Sequence, residues 1–120
     1  MSKFVIDIDG VIATEVKDTV SIDNLGLVSI NYSLATPIEE NISFFNSLYE
    51  DGHTVVYFTA RGSDTGVDWR LCTEVQLKTW GVKYHELRLG KPSADYYVDD
   101  KLASIESLKY IYRKEYNYGE

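Results

Sequence analysis

Residues 4–14 read FVIDIDGVIAT, an apolar run that ends in two aspartates one residue apart. The β-branched stretch 3–8 (KFVIDI) predicts a strand, and because it barely alternates, a central one. Side chains alternate across a strand, so Asp7 and Asp9 point the same way where the chain stays extended. Two like charges side by side repel, and each resists burial. A divalent cation, a shared proton or plain solvent must offset them.

Outward from this strand, short alternating pieces (TVSI at 19–22, LVSINY at 27–32) flank Asp23, Asn24 and Gly26 and predict a β-hairpin or flap within 11–36. Thr36-Pro37 offers an N-cap and a first-turn proline. Ile38, Ile42, Phe45 and Leu48 follow at helical spacing, and Asp51-Gly52 ends that helix. HTVVYFTA (53–60) predicts a second buried strand. A helix is predicted over 66–80, with Val67, Leu71, Val75 and Leu77 on its inner side and Gly81 closing it. VKYHELRL (82–89) predicts a third strand, ADYYVDD (94–100) a fourth, and residues 101–115 a final amphipathic helix. Strands alternating with helices imply right-handed crossovers and a parallel sheet.

At 120 residues the chain has room for a single domain, 1–120. A 44% hydrophobic and 13% aromatic content fits a packed core rather than a disordered chain. The net charge of -7 argues against nucleic acid and against anionic membrane surfaces as main partners. An anionic substrate would therefore need a local metal, Lys or Arg. Cys72 stands alone, so no disulfide forms within the chain, and it reads as a small buried residue. With neither a signal-like segment nor an apolar stretch of spanning length, the expectation is a soluble, cytoplasmic protein.

In parallel α/β sheets ligands bind beyond the carboxyl ends of the strands. That rule places Asp7 and Asp9 after the first strand, Thr59 after the second, Asp99 and Asp100 after the fourth, and Lys91 in the connection before it. Asp7, Asp9 and Asp99 offer hard oxygen ligands suited to an octahedral Mg²⁺ that keeps waters and takes a phosphate oxygen. His53 and His85 lack the spacing of a soft-metal site. With such a cation present, one carboxylate can act as a nucleophile towards phosphorus while its neighbour exchanges a proton. Thr59 can donate to a phosphoryl oxygen, and Lys91 can offset negative charge.

FVIDIDGVI, YFTARG and GKPSADYYVDD together resemble the four ordered motifs of the haloacid dehalogenase (HAD) superfamily, over nearly the whole chain. The resemblance implies a Rossmann-like three-layer α/β sandwich with a parallel central sheet and minimal or no cap. It implies Asp7 as the nucleophile that becomes an aspartyl-phosphate, and Asp9 as general acid/base. It also implies Thr59 and Lys91 as phosphate-binding residues and Mg²⁺ as cofactor, held by Asp7, Asp99 and the backbone carbonyl of Asp9. Asp100 is left as a direct ligand or a partner behind one. An aspartate at position 9 favours phosphatase over dehalogenase chemistry. The segments ARGSDTGVDWR and GKPSADYYVDDK are similar to small HAD proteins of capsule and polysaccharide biosynthesis. Arg61 either binds a second anionic or hydroxyl-rich part of the substrate or pairs with Asp64 or Asp68 on the surface. Trp69 reads as core rather than as a sugar platform.

Residues 11–36 are too short for a folded cap, so an open site serving a small phosphorylated metabolite is expected. The Tyr-rich tail (Tyr110, Tyr112, Tyr116, Tyr118) offers either a homo-oligomer surface or ordinary packing. The expected function is an Mg²⁺-dependent phosphomonoester hydrolase acting on a sugar or polyol phosphate. The alternatives are a nucleotide or polynucleotide-end phosphatase, and a non-catalytic binding domain that keeps the fold.

Overall fold

The computed structural model describes residues 1–16, 20–22 and 28–116. Its sheet contains β1 (Lys3–Ile6), β4 (Thr54–Phe58) and β5 (Glu86–Arg88), all parallel, in the order β1-β4-β5. A two-stranded antiparallel ribbon, β2 (Val20–Ile22) and β3 (Val28–Ile30), stands apart from it. The ribbon matches the expected flap; its anticipated turn residues Asp23, Asn24 and Gly26 lie outside the described residues. A 3-10 turn, Tyr32–Leu34, leads to α1 (Glu39–Glu50); α2 (Arg70–Thr79) and α3 (Ile105–Tyr116) complete the chain.

β4 is the central strand because Val55, Val56 and Tyr57 are all buried, leaving neither face to water. β1, expected at the centre, is an edge: its Val5 is 60% exposed. Ile6, Val55, Tyr57 and Leu87 share one face by register and meet Ile42, Phe45 and Leu48 of α1 and Leu77 of α2. Ile105, Leu108 and Tyr112 of α3 pack against the same cluster. Lys109 of α3 donates to Asn41 of α1 at 2.7 Å, so these helices lie side by side.

The α/β class and the parallel sheet stand as expected: three parallel strands with three helices are consistent with a Rossmann-like sandwich. The fourth strand expected at ADYYVDD is not formed. Tyr96 and Val98 of that segment are 87% and 97% exposed. The segment folds back on its own loop instead: Tyr97 Oη donates to the Pro92 carbonyl at 2.6 Å, and Lys91 Nζ sits 4.1 Å from the Tyr97 ring centre.

Two helices also differ from expectation, α1 in its start and α2 in its inward residues. Pro37 pairs in a bridge with Ala13, and the Ile38 amide donates to the Ile12 carbonyl, so α1 starts at Glu39. Thr36 spends its hydroxyl on Thr14 rather than on a cap. In α2 the inward residues are Thr73 and Leu77, whereas Leu71 and Val75 are exposed. The histidines serve the backbone, His53 Nδ1 accepting from the Ser2 amide and His85 Nδ1 from the Val55 amide.

Candidate functional site

β1 ends at Ile6, and the chain then winds tightly around one carbonyl. The oxygen of Ile8 accepts from the amides of Val11, Ile12 and Ala13, while the Gly10 amide returns to Ala13. Gly10 takes a positive φ of 86°, which this turn requires. Ile8, Ile12 and Ala13 are fully buried, so the turn is anchored from below. Asp7 and Asp9, flanking Ile8, both line a cavity of about 270 Å³ shared with Glu15, Val16, Ile30, Tyr32, Ala60 and Arg61. Both thus border one cavity, although β1 has ended at Ile6 and it is this turn, not strand alternation, that brings them there.

Asp7 accepts the Ile8 amide on Oδ1 at 2.9 Å and faces Lys91 Nζ at 3.7 Å through Oδ2. Burial raises its carboxyl above the ordinary range; Lys91 and the Ile8 amide offset this in part, and Asp9 adds to it. Lys91 is held in place through its backbone, whose amide donates to Thr59 and whose carbonyl accepts from Ser63 Oγ. Thr59 follows β4, is buried, and accepts the Arg61 amide on its hydroxyl at 3.1 Å. Asp7, Asp9, Thr59, Arg61 and Lys91 thus come together at the carboxyl ends of β1 and β4.

Arg61 does not turn to the surface towards Asp64 or Asp68. Its side chain is fully buried and grips Asp9 through two hydrogen bonds, Nε to Oδ2 and Nη2 to Oδ1. Its Nη1 donates to Thr73 Oγ1 at 3.1 Å and to Gln76 Oε1 at 2.6 Å. The guanidinium carbon lies 4.9 Å from the Tyr32 ring centre. Trp69 meets that same ring edge to face at 5.2 Å. Tyr32 has its hydroxyl pKa raised by burial, then by the charge of Asp9.

Thr73, Gln76 and Tyr32 carried no signal in the sequence, because each reads as an ordinary polar helix or loop residue.

Asp99 and Asp100 are exposed. The Lys101 amide, donating to Asp99 Oδ1 at 2.8 Å, holds that carboxyl below its ordinary range. Among the described residues no three His, Cys, Asp or Glu side chains gather as a metal-holding group. The hard oxygens of Asp7 fit Mg²⁺ in donor type, whereas both Asp9 carboxylate oxygens face Arg61. The tail tyrosines divide: Tyr112 packs on Phe4 and His53, and Tyr110 is 71% exposed. Tyr116 and Tyr118 have no described side chains.

No protein-family model and no curated protein matches this chain. A crystal structure of a target protein from Vibrio cholerae is similar in fold, with a TM-score of 0.69 and 20% identity over 96% of this chain and 99% of that one. At that identity the likeness bears on the fold, a small α/β domain with a parallel sheet. No helix among the described residues is long and apolar enough to cross a membrane.

Proposed function

We propose that this chain is an Mg²⁺-dependent phosphomonoester hydrolase of HAD type that acts through Asp7 on a sugar or polyol phosphate. The observation that carries the reading is Asp7 in the cavity, with Lys91 at 3.7 Å on one side and the Arg61-bound Asp9 on the other. An Asp7 oxygen attacks phosphorus, forming an O–P bond as the ester P–O bond breaks. Asp9, a carboxylate paired with Arg61, takes the proton that a phosphomonoester monoanion carries and passes it to the leaving alkoxide, then takes one from the water that releases phosphate and restores Asp7. Lys91 offsets charge on the nucleophile and the transferred group. Thr59 keeps its hydroxyl proton to donate to a phosphoryl oxygen, since the Arg61 amide occupies only its acceptor side.

Mg²⁺ would be held by Asp7 and would neutralise phosphate charge in an otherwise acidic protein; Asp99 and Asp100, the further ligands the resemblance implies, are exposed and do not line the cavity in this structure. The cavity of about 270 Å³ and its short flap suit a compact phosphorylated metabolite more than a polynucleotide.

The test is phosphate release from p-nitrophenyl phosphate and from a panel of hexose, heptose, polyol and nucleoside phosphates. Each is run with Mg²⁺, then with EDTA. Release that needs Mg²⁺ and is lost in Asp7→Asn is the expected result. Full activity in Asp7→Asn overturns the reading, and turnover confined to nucleoside phosphates overturns the substrate class.

A further inference from the structure

Gln76 occupies the junction of two parts of the site that are far apart in the chain. Its Oε1 accepts from Arg61 Nη1 at 2.6 Å, and its Nε2 donates to the Tyr32 carbonyl at 2.8 Å. Arginine has no acceptor and a carbonyl has no donor, so only one orientation of the amide satisfies both. Arg61 spends its remaining side-chain hydrogen bonds on Thr73 and on both oxygens of Asp9. Tyr32 follows β3, lines the cavity and presents its ring to the same guanidinium. One side chain of α2 therefore braces the Arg61–Asp9 pair with its oxygen and the root of the ribbon with its nitrogen.

We propose that Gln76 is a positioning residue for the reaction at Asp7. Through Arg61 it fixes the Asp9 carboxylate, and through Tyr32 it fixes the ribbon wall of the cavity. The inference rests on the hydrolase reading for its kinetic consequence, but its structural half stands independently. A planar guanidinium held by acceptors on two sides cannot swing, so the Asp9 oxygens keep one position relative to Asp7. Removing the Gln76 oxygen takes the shorter of the two bonds from Nη1 and leaves that edge of the plane to Thr73 alone. Reversing its nitrogen to an oxygen sets two acceptors against each other at Tyr32 and leaves the Arg61 side intact.

Two variants separate these effects. Gln76→Met keeps length and helix propensity but loses both contacts; Gln76→Glu keeps the acceptor for Arg61 and loses the donor to Tyr32. With p-nitrophenyl phosphate and Mg²⁺, Gln76→Met is expected to lower kcat about tenfold or more, the scale of a misplaced proton carrier. Gln76→Glu is expected to hold kcat within about threefold while raising KM, because only the cavity wall loosens.

The independent readout is the Arg61 Nε–H resonance in ¹⁵N-labelled protein, assigned by its loss in Arg61→Lys. It should be distinct and slowly exchanging in the parent and in Gln76→Glu, and shifted or broadened in Gln76→Met. An unchanged kcat in Gln76→Met overturns the proposal. So does an equal loss of kcat in both variants, which marks a purely structural role. Should the parent release no phosphate, the hydrolase reading fails, and an Arg61 resonance unmoved in Gln76→Met still overturns the positioning role.

Discussion

Arg61 and Asp9 form a two-pronged ion pair, 2.9 Å from Nη2 to Oδ1 and 3.0 Å from Nε to Oδ2. The guanidinium is fully buried, whereas the carboxylate keeps 21% of its side-chain surface in contact with solvent. That asymmetry decides which loss costs more. A planar fork matched to a carboxylate is stable as a pair, but a buried charge without its partner is not.

Asp9→Ala is therefore expected to destabilise the fold by about 3 kcal/mol or more, because it strands the Arg61 charge in the interior. Asp7→Ala, which leaves the partly exposed Lys91 behind, is expected to cost far less. Urea unfolding of both variants checks the order. Equal losses would mean that Arg61 finds other acceptors or water.

Asp7 behaves in the opposite sense with pH. Its carboxyl is raised in the folded state, by burial above all, so ionisation is costlier there than in the unfolded chain. The stability it contributes is present below the unfolded carboxylate range, about pH 4, and is lost as pH rises through the folded value. Asp7→Asn should thus melt higher than the parent at pH 7 in EDTA, with the gap closing near pH 3. A lower melting temperature for Asp7→Asn at pH 7 would contradict the raised carboxyl.

The loop after β4 depends on Gly62. Its φ is +79°, and an added Cβ would lie 2.0 Å from the Val67 carbonyl and 3.2 Å from Trp69. Gly66 has a similar φ of +76° but nothing within 4 Å, so it serves as the comparison. Gly66→Ala should cost about 1 kcal/mol for conformation alone. Gly62→Ala should cost clearly more and displace the Arg61 loop, which under the proposed hydrolase function lowers turnover where Gly66→Ala spares it. Melting curves and p-nitrophenyl phosphate turnover measure both effects.

Tyr57 is wholly buried in β4, and its hydroxyl has no hydrogen-bond partner among the described residues. Burial pushes its pKa well above the ordinary tyrosine value. Tyr57→Phe removes a desolvated polar atom while keeping the ring against Tyr84. The expected change is a gain of about 1 kcal/mol. A loss of that size would reveal a partner, such as a buried water.

The cavity-facing pair Asp7 and Asp9, the positions of Thr59 and Lys91, and the parallel α/β class were legible in the chain. They follow from local rules: helix spacing and the placing of ligand residues at strand ends. Apolar periodicity misled at α2, where Leu71 and Val75 face solvent and Thr73 and Leu77 face inward. Spacing cannot register that one side of a helix packs on a buried guanidinium and so must carry oxygen acceptors. It also predicted a strand at ADYYVDD, which Tyr97 instead ties back to Pro92 and Lys91.

The sequence by itself determined that two carboxylates follow the first strand at the carboxyl edge of a parallel sheet, because ligand-bearing residues of such sheets lie where the strands end. Tertiary structure alone decided that Arg61 turns inward to Asp9, and that Gln76 and Tyr32 close the network around it. Those partners lie 15 to 52 residues apart in the chain. Contacts at such separations are set by how α2 and the ribbon root pack over the carboxyl ends of β1 and β4, and no local pattern encodes that placement.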